Sequence, residues 1–107
     1  MNDMASHNEE GDNSKKHFYL DGNVITDLES FYTEVDRKLT EDFESGHNLD
    51  AFNDLLRGGF GKFDYGEFIV LHWTDFANSS AKLPKNKLDV ILEIIQESDN
   101  VTFCPED

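Results

Sequence analysis

Phe68-Ile69-Val70-Leu71 is a short, uninterrupted apolar run, rich in β-branched residues. Segments with a helical hydrophobic period lie on both sides of it. Such a run reads as a buried strand, ending near Trp73. A strand set between helices cannot join its neighbours through tight hairpins, so the pattern points to a parallel sheet. His17-Phe18-Tyr19-Leu20 supplies a first strand, and Asp21-Gly22-Asn23 a turn after it. Thr26 with Glu29 fits a capping box. Leu28, Phe31, Tyr32, Val35 and Leu39 then recur at helical spacing, which predicts a helix from Asp27 to Leu39. Asn48 is a good N-cap for a second helix, with Leu49, Phe52, Leu55 and Leu56 on one face. Gly58 suits the position that stops it. Residues 74–83 read as a loop with a short helical turn around Asp75 to Asn78. Pro84 can open a last helix at its first position, with Leu88, Ile91, Leu92 and Ile95 as its core stripe and an end near Ser98. Asn100 to Cys104 reads as a third strand, ended by Pro105. The expected fold class is α/β: a small three-stranded parallel sheet packed with helices, in the order β-α-α-β-α-β.

A chain of 107 residues has room for one core. Residues 1–16 are polar and aperiodic and are expected to be a disordered tail, leaving 17–107 as the domain. The formal charge is −14, and the tail, with four acids and two lysines, carries only −2 of it. The remaining −12 therefore belongs to the domain. Binding to nucleic-acid phosphates or to an anionic membrane surface would be repulsive, so neither is expected. A basic protein is the natural complement. One cysteine, Cys104, excludes an internal disulfide and a Cys₄ or Cys₂His₂ zinc site. The first residues lack the apolar stretch of a signal peptide, and no run is long enough to span a bilayer. A reducing cytoplasm is the expected location.

The second helix holds the most informative polar pattern. With Leu49 at 0°, Asp50 falls at about 100° and Asp54 at about 140°, while the apolar positions centre near about 310°. Both carboxylates thus lie almost opposite the core face, either as a solvated surface or as an acidic epitope for Arg, Lys or His of a basic partner. In the last helix, Glu93 and Glu97 also point away from the apolar stripe. Catalytic arrangements are absent. Ser45, Ser79 and Ser80 lie in no nucleophile elbow, and the four histidines form no ligand spacing, so no catalytic residue, metal or cofactor is expected. Gly58-Gly59-Phe60-Gly61 runs from helix towards strand, the reverse of a dinucleotide-binding loop. Phe60, Phe63 and Tyr65 either pack down on the sheet or serve as interface contacts.

The segment Asn48-Leu49-Asp50-Ala51-Phe52-Asn53-Asp54-Leu55-Leu56 resembles the signature helix of the barstar family of ribonuclease inhibitors. Ile25-Thr26-Asp27-Leu28 resembles the opening of that family's first helix. Ile69-Val70-Leu71-His72-Trp73, followed by Phe76, resembles its central strand. The last helix and strand align in order and length, so the likeness covers roughly residues 18–104. Leu56-Arg57-Gly58-Gly59-Phe60-Gly61 looks like a bacterial barstar-like branch with a longer loop at this point. The resemblance implies a monomeric, stoichiometric inhibitor of a basic, barnase-like ribonuclease or related toxin nuclease, as an immunity protein or antitoxin. It implies that Asp54 and Asp50 pair with cations of the nuclease active site, and that Glu97 faces the enzyme.

Three departures from the family pattern fall on the same surface. Glu44 and Ser45 stand where the family has tyrosines, with Phe43 just upstream; Asn53 replaces a tryptophan; and the loop begins Gly58-Gly59-Phe60. The expected partner-binding set is therefore Asp50, Asp54, Glu97, Glu44, Phe43, Asn53 and Phe60. The alternatives are a barstar-fold interaction or regulatory module that inhibits no nuclease, and a small enzyme, which the missing nucleophile and metal cluster argue against.

Overall fold

The computed structural model describes residues 15–40, 47–58 and 61–107. Its elements are β1 (Lys16–Asp21), α1 (Leu28–Leu39), α2 (Leu49–Arg57), β2 (Ile69–Thr74), α3 (Phe76–Lys82), α4 (Lys85–Glu97) and β3 (Val101–Pro105). The strands form one sheet in the order β1-β2-β3, and both pairings are parallel. The α/β class and the three-stranded parallel sheet are as expected. The element order is β-α-α-β-α-α-β, one helix more than the sequence pattern suggests.

That additional helix is α3, whose residues are Phe-Ala-Asn-Ser-Ser-Ala-Lys. Asn and Ser are weak helix formers, and Asp75 at its start has a left-handed backbone and makes no side-chain cap. Tertiary bonds hold it instead. Phe76 N donates to Glu106 O at 2.8 Å, and Ser79, fully buried, accepts from Trp73 Nε1 at 3.0 Å. The Ser79 hydroxyl donates to Gly22 O at 2.9 Å. Gly22 has no room for a side chain, because a Cβ there would lie 2.2 Å from Thr74 O. Two smaller boundaries also differ. Lys16, assigned to the tail from its polarity, starts β1, and Pro84 caps α4 from just outside it.

The cap of α1 is one residue later than the Thr26–Glu29 pattern predicts. The Asp27 carboxylate accepts from Ser30 N at 2.8 Å, and Asp27 N donates to Ser30 Oγ at 3.0 Å. Asp is as good an N-cap as Thr, and its choice leaves Glu29 unused by the cap. The backbone and hydroxyl bonds from Ser30 hold the Asp27 carboxyl below its usual pKa.

The contiguous core cluster lies on one face of the sheet. Phe18 and Leu20 of β1 stand beside Leu71 and Trp73 of β2, and the buried faces of α1, α2 and α4 close over them. Phe31 is central, stacking on Trp73 at 5.5 Å and meeting Phe52 edge-on at 5.1 Å. The one-sidedness follows from topology. Both crossovers step the same way along the sheet, and two crossovers of the same hand then cover the same face. The other face carries His17, Tyr19, His72, Thr102 and Cys104 and is largely open to solvent, with its rings stacked on one another. His72 packs flat on Tyr19 at 4.2 Å, its Nδ1 meets Glu106 Oε2 at 2.6 Å, and its Nε2 meets His17 Nδ1 at 2.9 Å.

Glu34 ties α1 to β1. Its carboxylate is buried, accepts from Asp21 N at 2.9 Å, and pairs with Lys38 at 2.8 Å and Arg37 at 3.2 Å. Among the described residues, no helix is long and apolar enough to cross a membrane.

Candidate functional site

Helix α2 is set by its ends and by its apolar face. Asn48 Oδ1 accepts from Ala51 N at 2.7 Å, which is the expected N-cap. Phe52, Leu55 and Leu56 are buried in the core, so the opposite face is fixed outward. Gly58 closes the helix with φ 93°, and its N–H donates to Leu55 O at 2.9 Å. A side chain at Gly58 would meet Asp64 O at 2.1 Å, so a close backbone approach as well as the positive φ demands glycine.

On the outward face, Asp50 and Asp54 are exposed, as the helical angles predict. Asp50 sits in the first turn, where the helix dipole favours a negative charge. Among the described residues, Asp50, Asp54 and Glu97 take part in no ion pair, although seven other pairs form. Asn53 is half-buried, and Glu97 is exposed at the end of α4. Asn53 and Glu97 line one open groove of about 410 Å³, together with Arg57, Tyr65, Phe68 and Asp99. Phe43, Glu44 and Phe60 lie outside the described residues.

The backbone after α2 is clamped. Gly66 N donates to Arg57 O at 2.7 Å, and Lys62 N to Leu39 O at 3.0 Å. Asn100 donates through Nδ2 to Leu56 O at 2.8 Å and to Glu67 O at 3.0 Å, joining α2, the loop and the start of β3. Glu67 accepts from Asp64 N at 2.8 Å and pairs with Lys16 at 3.4 Å, and its carboxyl is held below its usual pKa chiefly by the Asp64 bond. Of the loop aromatics left open by the sequence, Phe63 packs into the core against Phe18 at 5.5 Å, whereas Tyr65 stays in solvent.

Helical angles gave no hint of how the start of α2 is anchored. His47, just before the N-cap, adopts φ 52° and stacks on Tyr32 at 5.8 Å. Its Nδ1 meets Glu29 Oε2 at 2.6 Å, and its Nε2 meets Asp36 Oδ2 at 2.8 Å. The bond to Glu29 raises the imidazole pKa, helped by Asp36 and opposed by burial. Glu29, Tyr32 and Asp36 share one face of α1 at i, i+3 and i+7, and that spacing is the signal that could have pointed to a docking stripe. Among the described residues, no three His, Cys, Asp or Glu side chains converge as a metal site requires.

Residues 15–102 match the family model described as Barstar (barnase inhibitor). Comparison with individual curated proteins gives no match.

Proposed function

The chain belongs to the barstar family, and on that premise we propose that it inhibits a basic ribonuclease by occupying the active site one-to-one, as a monomer. The observation that carries this reading is the outward face of α2. It presents Asp50 and Asp54 with no ion pair among the described residues to neutralise them, on a helix whose other face is locked in the core. Such carboxylates suit a cleft built for RNA phosphates. They offer acceptors to Arg, Lys and His⁺ groups, and Arg can engage a carboxylate through two bonds at once. The helix is already formed and capped, so little ordering entropy opposes docking. Glu97, across the groove, adds a third carboxylate to the same side.

The test is calorimetric titration with a barnase-type ribonuclease at low and moderate salt. Wild-type chain should bind one-to-one and block RNA cleavage. Asp54→Ala should weaken binding most among single changes, by about 10- to 150-fold, the equivalent of one hydrogen bond to a charged group. Asp50→Ala should come next. Tight binding untouched by either change would overturn charge mimicry. No binding to basic ribonucleases would leave a family fold acting as an interaction module.

A further inference from the structure

Two large aromatic side chains beside α2 remain in solvent. Tyr65 is 79% exposed and Phe68 61% exposed, although Phe63 from the same loop found a place in the core. Their exposure is not fraying. Backbone and side-chain bonds from Arg57, Asp64 and Asn100 hold the segment on both sides of them. Aromatic rings held out on a fixed backbone cost solvation in the free protein and suit a partner that covers them.

The rings line the groove that also holds Asn53, Arg57, Glu97 and Asp99. Its charge balance is two carboxylates against one guanidinium. Asn53 and Arg57 of its lining share α2 with Asp50 and Asp54. Aromatic faces beside carboxylates favour one kind of occupant. A guanidinium can lie flat on a ring while its N–H edge bonds to a carboxylate, which neither an anion nor an apolar side chain can do. We propose that the groove receives an arginine side chain of the ribonuclease, with Tyr65 and Phe68 as its aromatic walls and Glu97 and Asp99 as its counter-charges; this rests on the inhibitor reading above. Tyr65 and Phe68 are then specificity-determining residues. Arg57 opposes the incoming charge.

The experiment compares wild-type chain, the double variant Tyr65→Ala/Phe68→Ala, Arg57→Ala and Asp54→Ala against a barnase-type ribonuclease. Circular dichroism checks that each is folded, and proton NMR follows the Tyr65 ring during the titration. The double variant should bind about tenfold more weakly or worse, as two cation–π contacts would require. Arg57→Ala should bind more tightly, and the Tyr65 ring protons should shift. If wild type binds and Asp54→Ala fails while the double variant equals wild type, the groove proposal is overturned and the inhibitor reading stands. Weaker binding by Arg57→Ala would mean an anionic occupant and would also overturn it. If wild type binds no basic ribonuclease, the inhibitor reading falls, and the proposed occupant with it.

Discussion

Ser79 holds together the end of the sheet where β1, β2 and α3 meet. It accepts from the Trp73 indole N–H and donates its own O–H to Gly22 O, all without contact with water. Removing the hydroxyl leaves the indole donor unpaired in the core, whereas Gly22 O keeps its bond from Asn78 Nδ2. Ser79→Ala should therefore destabilise the chain by about 1–3 kcal/mol, seen as a lower midpoint in urea denaturation with an unchanged slope. The apolar run before Trp73 marks a buried strand, but nothing in the spacing around Ser79 marks it as buried. Serine is usually exposed, and only the fold brings a partner to it. The same contrast holds on α2. Asp50 and Asp54 could be placed outside the core from spacing alone, because buried Phe52, Leu55 and Leu56 fix the helix rotation. Tyr65 and Phe63 could not be separated, because a loop has no period to read.

Helices α1 and α2 meet through the His47 bridge, and that contact should depend on pH. Protonated His47 donates to Glu29 and Asp36 together. Neutral His47 keeps one proton and can serve only one carboxylate. Because the folded pKa is raised, the stabilisation is complete below the unfolded value of about 6.5. It is lost as pH rises through the folded value. His47→Asn tolerates the left-handed backbone but removes the bridge. The stability gap between wild type and His47→Asn should be widest at acid-neutral pH and should narrow on the alkaline side, in urea titrations across that range. NMR titration should find the imidazole above its ordinary pKa. At this level the strands and three of the helices were readable in the sequence, since β-branched runs and helical spacing mark them. Helix α3 was not, because bonds from β1, β2 and the segment after β3 hold it, rather than its own residues.

Over the whole chain, −12 of the −14 charge falls on residues 17–107. Opposite charge on a partner should then speed encounter and be screened by salt. Association with a basic ribonuclease should slow markedly from low to high ionic strength in stopped-flow traces, with a much smaller change in dissociation. The parallel sheet followed from helices lying between strands. That only one face is covered did not: Val70 is apolar and 8% exposed, so it reads as a second core face, yet it shares its side of the sheet with Tyr19 and His72. The one-way strand order decides which face is covered, and no single segment encodes it.

The Asn100 clamp also governs when the binding surface comes into being. Its amide closes the carbonyl end of α2 and the approach to β2 from a position between α4 and β3. During synthesis α2 leaves the ribosome long before Asn100 does. The acidic helix must therefore wait, without its lock, until the last crossover has been made. Inhibitory capacity should appear as a late, all-or-none event in translation, and a nascent chain stalled before Asn100 should be unable to protect RNA even though every acidic residue of α2 has already been made.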